Sequence, residues 1–194
     1  MRKMAHVFVL ACAFLLSGCV SVIKVAPGER TVGEHLQISL KGAWNHIDAP
    51  AMCGPHCQVW TMEGLPIDQL LIYSGLENDQ PIHADSGQSS LKAFRFRSGM
   101  QPDQIVALFE GLLTRNGSTF KLTKLEQIPF AGTKGFHFEF KLIRKTDNVE
   151  LLGTGTATES KGTLFAIVYQ APRLMFYPKH QANVADIINS AKIK

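Results

Sequence analysis

Gly135-Phe136-His137-Phe138-Glu139-Phe140-Lys141-Leu142 is the stretch whose reading decides the fold class. Phe136, Phe138, Phe140 and Leu142 recur at period two, with His137, Glu139 and Lys141 between them. That alternation predicts a strand with one face in a core and the other toward water. Immediately downstream, Thr146-Asp147-Asn148 supplies a turn into the stretch Val149 to Thr158, and Ser160-Lys161-Gly162 supplies another into Thr163 to Gln170. Three strands joined by tight turns form an antiparallel meander. Phe120 to Ile128, just upstream, is expected in the same sheet.

Working outward, Pro102 stands where a first helical position belongs, and Ile105, Val106, Leu108, Phe109, Leu112 and Leu113 follow at helical spacing before Asn116-Gly117. This predicts a mid-chain helix. Val184, Ile187, Ile188 and Ala191 at i, i+3, i+4, i+7 predict a C-terminal amphipathic helix lying across the sheet. Leu36, Ile38 and Leu40 alternate with polar residues and run into Gly42 and Trp44, a half-buried strand and turn with Trp44 packed inside. Gln58 to Met62 and Ile67 to Tyr73 read as strands around a Glu63-Gly64-Leu65-Pro66 turn, and the polar stretch Gly75 to Ser90 as a long exposed loop. The class is α+β: an antiparallel sheet with a mid-chain helix and a C-terminal helix packed on it.

The order of these elements resembles the PsbP-like α/β sandwich family over about residues 35–194. The resemblance is carried by Trp44 after the first strand, the helix of Ile105 to Leu113, and the meander from Gly135-Phe136 to Tyr169. It implies a non-enzymatic accessory or assembly domain, and it transfers no site residue.

The N-terminus reads differently. Arg2 and Lys3 precede ten apolar residues, Val7 to Leu16, and then Ser17-Gly18 before Cys19. This is the layout of a signal peptide, and ten residues are about half of the roughly 20 that a helix needs to span a bilayer. Leu16-Ser17-Gly18-Cys19 resembles the lipobox of bacterial lipoproteins. The resemblance implies cleavage before Cys19, a thioether lipid and an amide-linked acyl chain such as palmitate on that residue, and anchorage by several chains together. Val20, where an Asp retains many such proteins at the inner membrane, points to the periplasmic face of the outer membrane. The expected organisation is therefore a leader over 1–18, a lipidated cysteine and tether over 19–34, and one globular domain over 35–194.

Loss of the leader takes Arg2 and Lys3 away, so the formal charge falls from +4 to +2 over the remaining 176 residues. So weak a basic balance, without a Lys/Arg cluster, argues against a nucleic-acid partner. Gly-x-Ser-x-Gly, Walker-type and His-Glu-x-x-His patterns are missing from the sequence, so the common hydrolase, nucleotide and zinc-protease signals are missing too.

Met52-Cys53-Gly54-Pro55-His56-Cys57 is the local cluster with the most chemistry. It is similar to the thioredoxin Cys-Gly-Pro-Cys, but with three residues between the cysteines, and Gln58 to Met62 alternates as a strand where a thiolate-stabilising helix would be required. Met52, Cys53, His56 and Cys57 also form a soft ligand set suited to Cu(I). Once Cys12 leaves and Cys19 is acylated, Cys53 and Cys57 are the only cysteines left, and an oxidising compartment favours a disulfide between them. A bridge over so short a loop adds about 2 kcal/mol.

His137 and Glu139 share a strand face, as an acid/base pair or as a solvated face. Arg95 and Arg97 flank Phe96 and project together toward an anion or simply form a wet edge. The reading that results is a membrane-anchored envelope lipoprotein acting as a non-catalytic binding or assembly module. It has no cofactor, and it takes an envelope protein or cell-wall component as partner. The alternative is a periplasmic copper- or thiol-handling protein built on Cys53, His56 and Cys57.

Overall fold

The computed structural model describes residues 21–48, 52–83 and 94–194. Strands β1 (Ser21–Val25), β4 (Trp44–Asp48), β5 (Cys57–Thr61), β6 (Gln69–Leu76), β7 (Thr119–Phe130), β8 (Thr133–Ile143), β9 (Glu150–Ser160) and β10 (Thr163–Pro172) form one sheet. Its order is β1-β4-β5-β6-β10-β9-β8-β7, antiparallel throughout. Strands β2 (Gly28–Val32), β3 (Leu36–Leu40) and β11 (Lys192–Ile193) form a second sheet in the order β11-β3-β2. Helix α1 (Pro102–Thr114) covers one face of the large sheet, and helix α2 (Phe176–Ser190), packed on β3, β9 and β10, covers part of the other. The α+β class and both helices stand as the sequence predicts.

Two cores follow from this layering. Between α1 and the sheet lie Tyr73, Phe109, Phe136, Phe138 and Phe140, and between the sheet and α2 with the small sheet lie Trp44, Trp60, Leu70, Ile167, Tyr169 and Ile187. The central strands β6 and β10 are covered on both sides. Their apolar runs are therefore continuous, Leu71 and Tyr73 facing one core, Leu70 and Ile72 the other. Strand β8 lies beyond the reach of α2 and keeps the clean alternation that its sequence displays.

The phenylalanine face is fitted against glycines. Phe138 pairs across with Gly155 and Phe140 with Gly153. A Cβ at Gly155 would come within 2.2 Å of the Phe138 ring, and one at Gly153 within 2.0 Å of Phe140. The rings thus lie flat over the backbone of β9 and stack on their neighbours, Phe109 on Phe138 at 5.7 Å and Phe120 on Phe140 at 4.8 Å. The β7–β8 and β9–β10 hairpins turn through Ala131-Gly132 and Lys161-Gly162, all four at positive φ, as two-residue primed turns require.

Two expectations need correction. The tether expected over 19–34 is, in its described part, two strands. Ser21 to Val25 pairs with Asp48 to Trp44, and Gly28 to Val32 with Leu40 to Leu36. The loop expected from Gly75 is also more ordered than its composition suggests. Gly75 and Leu76 finish β6, and the Ile82 carbonyl accepts hydrogen bonds from the Tyr73 hydroxyl at 2.8 Å and the Gly54 amide at 3.3 Å. Arg95, which the sequence sets with Arg97 on a solvated edge in preference to an anion site, pairs with Pro81 and donates to the Asp79 carbonyl at 2.7 Å, while Phe96 between the two arginines is fully buried.

Candidate functional site

Of the residues singled out in the sequence, Cys19 lies outside those described, as do 84–90 of the polar stretch. The Cys53 and Cys57 sulfurs are at bonding distance, with their Cα atoms 5.8 Å apart. Cys53 is buried in the α1-side core, and Gly54 lies so close under the 81–83 backbone that a Cβ there would stand 2.4 Å from the Pro81 carbonyl. The His56 carbonyl accepts hydrogen bonds from the Ser74 amide and hydroxyl, and Cys57 opens a strand. The segment therefore clamps a loop onto β6. Copper binding by Met52, Cys53, His56 and Cys57 would require the bond to be reduced and Cys53 drawn out of the core. Among the described residues, no three His, Cys, Asp or Glu side chains converge as a metal would need.

His137 and Glu139 occupy a more open place. Because α2 reaches only as far as β9, the outer face of β7 and β8 is left open beside it. His137 Nε2 stands 3.3 Å from Glu139 Oε1 and Nδ1 3.4 Å from the Thr156 hydroxyl. Strand register sets Glu126 beside His137 and Lys124 beside Glu139. A β-bulge between Leu122 and Lys124 turns Lys124 and Glu126 onto this face, where they pair at 2.7 Å. That hydrogen bond holds the Glu126 carboxyl below the usual carboxylate range and raises the Lys124 ammonium, so both stay charged.

The wall of this face is the flank of α2. Tyr177, Gln181, Ala185 and Ile188 recur along the helix and close a groove of about 560 Å³ against Glu126, His137, Thr154 and Thr156. Tyr177 is held by its ring, which stacks on Tyr169 at 6.0 Å. Burial and the nearby Glu139 charge push its phenol up, so it stays neutral and keeps its proton to donate. The sequence sets His137 and Glu139 on one strand face, which it reads chiefly as solvated. It carried the helical spacing of Tyr177 and Gln181 too, but nothing in it places them opposite a strand 40 residues away.

A second polar cluster fixes where α2 begins. Glu63, in the turn between β5 and β6, takes hydrogen bonds on one oxygen from Lys179 and from His180 Nε2, the latter at 2.7 Å. These two partners hold the Glu63 carboxyl below its ordinary range. A carboxyl shifted down on folding stabilises the fold fully above its unfolded pKa, and the contribution is lost as pH falls through the lowered folded value. Glu63→Gln should therefore be less stable than the natural chain at neutral pH, with the gap closing in acid. Thermal unfolding of both across pH checks this, and a gap that persists at the acid end would exclude the pairing as its source.

No family model matches the chain, and no curated protein matches it by sequence. Among solved structures, the fold matches that of cyanobacterial PsbP (CyanoP) from Synechocystis, with a TM-score of 0.58 and 13% identity over 92% of this chain and 95% of that one. The α+β fold is PsbP-like. Two further structures overlay at lower scores: the Saccharomyces cerevisiae Ran-binding protein Mog1p and LpqN, involved in cell envelope biogenesis of Mycobacterium tuberculosis. Mog1p has a TM-score of 0.44 and 9% identity over 90% of this chain and 96% of that one. LpqN has a TM-score of 0.34 and 11% identity over 92% and 87%. At those scores neither defines the fold.

Proposed function

We propose that this chain is a lipid-anchored protein of the bacterial envelope, whose domain binds or positions another envelope component without transforming it. The observation that carries the binding role is the open half-sheet beside α2. There, hydrogen-bonding side chains are already held in place by the Tyr169 ring and the Lys124–Glu126 pair around an open groove. Side chains ordered in advance lose less entropy when a ligand arrives. The anchoring role rests on the leader and on Leu16-Ser17-Gly18-Cys19, two residues ahead of the first strand. Among the described residues no helix is long and apolar enough to cross a membrane, so under this reading attachment comes from lipid on Cys19. Val20 in place of Asp favours the outer membrane, periplasmic side.

Expression of the full chain with labelled palmitate tests the anchor. The natural sequence should carry label and sediment with the outer-membrane fraction on a density gradient, and Cys19→Ala should carry none. Equal labelling of both, or a natural chain found wholly in the soluble periplasm, would exclude lipidation at Cys19.

A further inference from the structure

The chemistry of the groove narrows what it takes. The one carboxylate among its lining residues, Glu126, is paired with Lys124 at 2.7 Å, so the lining presents little net charge to a polyanion or polycation. Its polar lining is of the kind that exchanges hydrogen bonds with neutral hydroxyl and amide groups, namely Thr154, Gln181 and Asn189 together with the Tyr177 phenol. Between those groups lie small apolar surfaces, Ala182, Ala185 and Ile188 on α2. An aromatic ring, uncharged hydrogen-bonding groups and methyl-sized apolar patches along an open trough match a chain of pyranose rings. The apolar faces of such rings pack on the aromatic, their hydroxyls meet the amides and hydroxyls, and an acetamido methyl sits on alanine.

We propose that the groove between α2 and the outer face of β7, β8 and β9 is a binding site for a neutral glycan chain bearing acetamido groups. This deepens the binding role given above and names its ligand class. The site holds the chain and does not cut it. Glu126, the carboxylate that lines the groove, is kept ionised by Lys124, which suits accepting a hydroxyl proton in a hydrogen bond and not donating one to a leaving oxygen. Tyr177 supplies the stacking platform, and Gln181 and Asn189, both exposed on α2, supply contacts along the trough.

Saturation-transfer NMR on the full chain in detergent tests it, with N-acetylglucosamine hexamer as probe and the glucose hexamer of the same linkage, lacking acetamido groups, as comparison. The acetamido methyls of the first should saturate strongly and the second should give little signal. Tyr177→Ala should weaken binding about tenfold, the loss of one stacking contact. Because Tyr177 also packs on Tyr169, the exposed substitutions Gln181→Ala and Asn189→Ala serve beside it, and together they should weaken binding severalfold with the thermal unfolding midpoint unchanged. No saturation, equal saturation of both hexamers, or a Gln181→Ala/Asn189→Ala chain that binds like the natural one would overturn the proposal. A chain that carries lipid at Cys19 yet ignores both hexamers would overturn the glycan assignment and leave the anchor standing.

Discussion

Phe138→Ala should lower the stability of the domain by roughly 3 to 5 kcal/mol, the range for truncating a fully buried phenylalanine. The ring is fully buried, with Phe109 stacked on it at 5.7 Å and Phe140 beside it at 6.0 Å, so its removal opens a cavity where three rings meet. The reciprocal substitution, Gly155→Ala, should cost about 1 to 3 kcal/mol for the opposite reason, because it inserts a methyl where the Phe138 ring already lies. Combined, the two should cost clearly less than their sum, since the new methyl enters space that the missing ring has vacated. Urea unfolding of the two single variants and the double variant measures the coupling. Strict additivity would mean that Phe138 and Gly155 do not share that space.

Asp68→Ala should cost roughly 3 kcal/mol, the scale for stripping a buried carboxylate from several donors. Asp68 is 1% exposed and accepts from the Thr61 hydroxyl, from the Met62 amide at 2.9 Å and from the Glu63 amide at 2.8 Å, while Thr61 in turn accepts from the Gly64 amide. The side chain thus stands in for the backbone partners that the turn lacks. Its removal should also be felt at a distance. The turn presents Glu63 to Lys179 and His180, so amide exchange in the first turn of α2 should quicken along with exchange in Met62 to Gly64. Faster exchange in the turn alone, with α2 unchanged, would show that the helix is docked independently of it.

The parts of the fold legible in the sequence were those with a single dry face or a strong local stop. Strand β8 alternates because one face is dry, and α1 is bracketed by Pro102 and Asn116-Gly117. Strands β1 and β2 read as tether because they lie at sheet edges. Val22 and Ile23 are both largely exposed, so no period-two pattern marks β1, and only Ala26-Pro27 separates it from β2. The two residues of β11 are too few to carry any period. The candidate site was half legible for a related reason. His137 and Glu139 stand out on a clean strand, whereas Tyr177, Gln181 and Asn189 read as the wet side of a helix until the sheet is seen to leave them a facing wall. The segment 77–83 was read as exposed because its residues are polar, but its order comes from backbone hydrogen bonds, which composition does not encode.

Strand β1 has one neighbour, β4, and it follows the proposed anchor by only two residues. Any pull between membrane and domain therefore falls first on that single ladder of five paired residues, four of them exposed. Under load its exposed residues would peel away first and Val25, which packs at the edge of the second core, last, lengthening the connection by about 16 Å at the rise of an extended chain. When the load drops, the same register would let it close again. With the proposed anchor in place, the first strand would act as a retractable spacer between bilayer and domain.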